Sequence, residues 1–85
     1  MATRDPAALF LKAFGRTVRA RRDALGLSQE DLSFRCALDR TYISGVERGV
    51  RNPTVKTMFR LAEALQTSVH GLTEAAQAAF DGSRK

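Results

Sequence analysis

The chain predicts an all-α fold of five helices, on three observations. Apolar residues recur at helical spacing in separate runs, a capping residue opens each run, and 85 residues leave room for one small core.

The elements follow in order. Asp5 and Pro6 form an N-cap and the proline tolerated at the first helical position, and Phe10, Phe14, Val18, Arg21 or Arg22, and Leu25 then recur at helical spacing, so helix one runs from about Pro6 to Leu25. Gly26 supplies the left-handed residue that ends it, with Leu27 as the hydrophobic contact that follows. Ser28 caps helix two, about Gln29 to Cys36, with Asp31 placed where the helix dipole favours a carboxylate. Leu32 and Cys36 make its buried face. After a turn at Ala37 and Leu38, Asp39 caps helix three, whose apolar side is Ile43, Val46 and part of Tyr42. Gly49 closes that helix, and Pro53 biases Asn52 away from helical geometry. Thr54 caps helix four, with a stripe of Val55, Met58, Leu61, Ala62 and Leu65. Ser68 caps helix five through Val69, Leu72, Ala75, Ala76 and Phe80, weakened by Gly71. Residues 1–80 thus form one domain, and 81–85 have the composition of a frayed tail.

Charge points to a partner. Lys and Arg number 14 against 9 Asp and Glu, for a net charge of +5, and 11 of the 14 are Arg, whose planar fork suits phosphates and guanine edges. Double-stranded DNA is the expected partner. Lys12 and Arg16 interrupt the N-terminal apolar residues, so neither a signal peptide nor a membrane span is expected. Cys36 is the single cysteine and reads as a core residue, which fits a reduced cytoplasm. Catalysis is not expected: there is no Gly-rich phosphate loop, no paired Cys or His spacing, and no nucleophile connected to the lone His70. No cofactor, metal or small-molecule ligand is implied.

Helices two and three, short and joined by a tight turn, describe a helix-turn-helix over about residues 28–48, with the recognition helix at about 39–48. In such a motif the second helix enters the major groove and the first crosses the backbone. Arg40 can donate two parallel hydrogen bonds to guanine, and Thr41, Tyr42 and Ser44 can meet base edges or the adjacent phosphates. Packing against helix two competes for Tyr42, and backbone bonding at the helix start competes for Thr41 and Ser44.

The run LGLSQEDLSFRCALDRTYISGVERGVRNPTVKTMFRLAEAL, Leu25 to Leu65, resembles the Cro/repressor or XRE type of helix-turn-helix, and DRTYISGVERGVRNPT within it is similar to the controller proteins of restriction-modification systems. The resemblance implies a compact five-helix, lambda-repressor-like DNA-binding domain that regulates transcription as a homodimer on a pseudo-palindromic operator. It implies that Gln29 donates to a phosphate and that Arg48, Arg51 and Asn52 grip phosphate, with Arg35 added to that set. Gly45 departs from members that carry a long base-reading side chain at this position.

Glu47, beside DNA, needs a cation. Arg22 and Arg35 are the available partners, and the resemblance favours Arg22 in a partly buried structural pair. For the dimer interface the apolar residues Phe59, Val69, Leu72, Ala76 and Phe80 of helices four and five are expected, with Phe59 foremost because it lies off the core stripe. RNA polymerase is a further expected partner. The competing reading is an antitoxin-type module whose helix-turn-helix domain also binds a toxin.

Overall fold

The computed structural model describes residues 5–84. Five α-helices follow one another: α1 (Pro6–Ala24), α2 (Gln29–Cys36), α3 (Arg40–Glu47), α4 (Val55–Ala64) and α5 (Val69–Ser83). No strand occurs among the described residues.

Each helix starts where its cap satisfies a free backbone N–H. Asp5 accepts from the Ala7 amide, Asp39 from Thr41, Thr54 from Thr57 and Ser68 from Gly71. At α2 the bonds are reciprocal, Ser28 Oγ accepting from the Asp31 amide and Asp31 Oδ2 from the Ser28 amide, both at 2.9 Å. α1 ends in a Schellman arrangement: Gly26, at φ +71°, donates to the Asp23 carbonyl, and Leu27 to that of Arg22. Ala37, at φ 55°, closes α2 and redirects the chain into α3.

α1 is the spine: it packs along α5, crosses α3, and leaves α2 to bridge α3 and α4. Val18, Leu32, Ile43, Val46, Leu61 and Leu65 are fully buried. Each contributes roughly 1.5–3 kcal/mol on burial. Cys36 joins them, its Sγ 3.0 Å from the Leu32 carbonyl oxygen, and burial pushes its thiol pKa up. Arg21 ties α1 to the end of α4, donating from Nε to the Leu65 carbonyl at 2.9 Å and from Nη2 to that of Gln66 at 3.0 Å.

Two local expectations are corrected. Val55 is 71% exposed, because the core reaches α4 only from Met58 onward. The tail expected at Asp81 is helical to Ser83: Phe80 is buried edge-on to Phe10 at 5.7 Å, Arg84 lies over its outer face, and Gln77 bonds Asp81. One buried aromatic carries the helix past the point at which composition turns polar. Lys85 lies outside the described residues.

Candidate nucleic-acid interface

α2, the Ala37–Asp39 turn and α3 form one rigid unit, and what holds it is Glu47. Its side chain is 3% exposed, and its carboxylate accepts from Arg22 Nε at 2.7 Å, Arg22 Nη2 at 2.9 Å and Gln29 Nε2 at 3.0 Å. Arg22 also donates from Nη1 to the Leu27 carbonyl at 2.8 Å. The Glu47 hydrogen bonds raise the guanidinium pKa above its already high value, against the opposing cost of burial. A single bidentate pair therefore joins α1 to α3, and Gln29 adds α2. Arg22 is the partner of Glu47, and Arg35 is not.

Two glycines let the helices meet at this crossing. A Cβ on Gly15 of α1 would lie 2.3 Å from the Val46 carbonyl oxygen and 2.5 Å from that of Glu47, so α1 touches the α3 backbone directly. Gly49, at φ +76°, receives Lys12 in the same way, a Cβ there falling 2.6 Å from Lys12 Cγ. Neither contact was legible beforehand, since a glycine inside a helix, as Gly15 is, ordinarily signals only lost propensity and one at Gly49 signals only a helix end.

The opposite end of α3 is open. Arg40 and Thr41 are exposed, Ser44 is half-buried, and Tyr42 packs partly on the core. Asp39 Oδ1 takes both the amide of Thr41 at 2.8 Å and its hydroxyl at 2.7 Å. These two bonds, the hydroxyl's first, hold the Asp39 carboxyl below the ordinary carboxylate range. Gly45 is buried under Arg51: a Cβ there would lie 2.5 Å from Arg51 Cγ. The side chain missing from α3 is thus replaced by one arriving from the following loop, which lays the exposed Arg51 across α3.

The structure sorts the expected residues. Arg40, Thr41, Ser44, Arg48, Arg51 and Asn52 are exposed or half-exposed along α3 and the loop after it. Gln29 is half-buried with its amide already engaged by Glu47. Arg35 stands apart on the α4 side of α2, where it lines a shallow groove with Cys36, Phe59 and Arg60. Lys12, which sequence reasoning passed over, joins the end of α3 through Gly49. The arginines of α1 differ in their use: Arg21 and Arg22 are committed to carbonyls and to Glu47, Arg19 approaches Asp23 at 3.8 Å, and Arg16 is exposed.

The expected dimer surface is largely withdrawn. Leu72, Ala76 and Phe80 are buried at 2%, 0% and 6%, and Val69 packs against the core, because α5 spends its apolar face on α1 of its own chain. Phe59 is 58% exposed and remains, one turn from the exposed Val55.

Residues 18–72, helix-turn-helix and supports together, match the Helix-turn-helix family HTH_3. The chain belongs to the XRE-type helix-turn-helix family. It is 52% identical over 52 residues to the control protein C.SmaI of Serratia marcescens, covering 61% of this chain and 62% of that one. With the control protein C.BamHI of Bacillus amyloliquefaciens it shares 45% over 53 residues, 61% of this chain and 65% of that one. The chain thus spans under two thirds of the length of these curated relatives. Among solved structures, the restriction-modification controller protein C.AhdI of Aeromonas hydrophila superposes at TM-score 0.72 with 47% identity, over 73% of this chain and 94% of that one. The C.Esp1396I controller tetramer, solved in complex with its natural 35 base-pair operator, superposes at TM-score 0.76 with 34% identity, over 84% and 93% of the two chains. The family is one of DNA-binding transcription regulators rather than enzymes. Among the described residues no His, Cys, Asp and Glu cluster could hold a metal, and no helix is long and apolar enough to cross a membrane.

Proposed function

We propose that this protein is a sequence-specific transcription regulator of the controller type, binding a pseudo-palindromic operator as a homodimer with α3 in the major groove. The observation that carries the reading is the asymmetry of α3. Its C-terminal half is locked by the Arg22–Glu47–Gln29 cluster, and its N-terminal half presents Arg40 and Thr41 to solvent. A polar helix end whose arginine has no hydrogen bond or ion pair among the described residues suits base readout.

Arg40 reads a guanine, Thr41 and Ser44 contact adjacent bases, and Tyr42 lies at the edge of that set. Arg48, Arg51 and Asn52 hold the phosphates on one side, with Lys12 beside them, and the second amide hydrogen of Gln29 holds a phosphate on the other. Two copies place their α3 helices in half-sites ~34–36 Å apart, since one helix reads too few base pairs to select a site. The exposed Phe59 and Val55 face of α4 joins them. RNA polymerase is the further partner through which such a regulator acts.

The test is selection of bound duplexes from a random pool at ~150 mM salt, where phosphate-only binding is weakened. Wild type is expected to enrich a two-fold-symmetric motif, and Arg40→Ala to lose one base position per half-site. An unenriched pool overturns the reading. Phe59→Glu is expected to give monomers of unchanged helicity in sedimentation, and a surviving dimer removes α4 as the interface.

A further inference from the structure

Thr41 brings to the interface a hydroxyl that can in principle donate one hydrogen bond and accept two, so it could meet a phosphate, a base acceptor or a base donor alike. The structure removes that ambiguity. Its Oγ1 lies 2.7 Å from Asp39 Oδ1, and the same carboxyl oxygen takes the Thr41 amide at 2.8 Å. An ionised carboxylate only accepts, so the hydroxyl proton must point to Asp39. We infer that Thr41 reads its base as an acceptor, pairing with the exocyclic amino group of an adenine or a cytosine, and that Asp39 is the positioning residue that fixes this polarity.

The inference rests on α3 entering the major groove and adds the sign of one contact. With its proton committed, Thr41 offers only lone pairs and a methyl outward. Phosphate oxygens, guanine O6 and N7, and thymine O4 are all acceptors and meet oxygen with oxygen. Adenine N6 and cytosine N4 are the major-groove donors that complete the chain from base to Thr41 to Asp39. Turning the hydroxyl to guanine O6 or N7 or to thymine O4 would exchange a bond to a charged group for a weaker one to a neutral acceptor. Ser44, one turn on, has no side-chain hydrogen bond among the described residues and keeps both polarities.

The experiment uses the operator that wild type enriches. Its adenines are replaced singly by purine, and its cytosines by 2-pyrimidinone, which deletes the amino group alone. Its thymines are replaced by uracil, which deletes the methyl. Wild type is expected to lose roughly three- to tenfold in affinity at one amino deletion per half-site, the range of a single hydrogen bond. Thr41→Val should be indifferent to that deletion, and Thr41→Ser should keep the response. Asp39→Asn retains an accepting oxygen without the charge and should keep a weakened amino response. Asp39→Ser keeps a helix-capping oxygen but not a charged partner, and should weaken the amino response while the melting temperature holds. Equal responses of wild type and Thr41→Val to every amino deletion overturn the inference, as does a Thr41-dependent loss confined to uracil positions. If wild type enriches no sequence, it is the proposed function that fails, and the polarity falls with it.

Discussion

The two ends of α3 solve opposite problems with the same eight residues. At its C-terminal end Gly45, Val46 and Glu47 are all buried, and three donors from two other helices converge on one carboxylate. At its N-terminal end Arg40 and Thr41 face solvent, and Thr41 bonds its own cap, Asp39, through its amide and its hydroxyl. The difference teaches that the exposed end of α3 is held from its other end, by an ion pair more than one helical turn away.

Glu47→Ala breaks that comparison most severely. It leaves the Arg22 guanidinium buried without its counter-charge, and a loss of about 3–5 kcal/mol is expected. An unchanged melting temperature would show that the cluster does not hold α3. Arg40→Ala acts at the other end: about 1–3 kcal/mol of discrimination against a wrong base should vanish, with thermal stability within about 0.5 kcal/mol of wild type. A matched fall in stability would show that the two ends are not separable.

Gly15→Ala tests the crossing itself. Alanine improves helix propensity by about 1 kcal/mol, but its Cβ would meet two α3 carbonyl oxygens at 2.3 and 2.5 Å, so a net loss of about 1–2 kcal/mol is expected in thermal melts. Gly82→Ala is the control, because nothing lies within 4 Å of that Cβ, and a gain of up to about 1 kcal/mol is expected. Lys12→Met should leave sequence preference intact and reduce the slope of log K against log salt by about 0.9, one phosphate contact. An unchanged slope would return Lys12 to packing alone. The smallest effect is at acid pH. Asp31, in the first turn of α2, and the cap Asp39 both have pKa values lowered from 3.8, chiefly by backbone and side-chain bonds from Ser28 and by the hydroxyl of Thr41. A lowered folded value means that the stability they contribute is present above the ordinary value and is lost as pH falls through the folded one. Acid melts of Asp31→Ala should therefore converge with wild type as pH drops below that range, and a constant difference would contradict it.

Much of this was legible before any fold was known. The five caps mark the helix starts, because Ser, Thr and Asp side chains satisfy free amides that have no other partner. The family resemblance favoured Arg22 as the partner of Glu47, and the bidentate pair is present. Periodicity misled in two places. Val55 fits the α4 stripe but precedes the part of the helix that the core reaches, and α5 looked like spare apolar surface until its residues were found packed along α1. A helical pattern gives the apolar face, while the neighbour that covers that face is set by tertiary packing.

By itself, then, the sequence determined the helices, their caps and the chemistry of α3, because all three depend on neighbours within one or two turns. Only the tertiary structure decided that Gly15 and Gly49 are contact points, that Arg51 fills the space over Gly45, and that α5 faces inward. Those facts join residues 30 or more positions apart in two cases and reverse the burial of a whole helix face in the last. The physical reason is that close packing is a property of pairs of surfaces, and a local pattern specifies only one of the two.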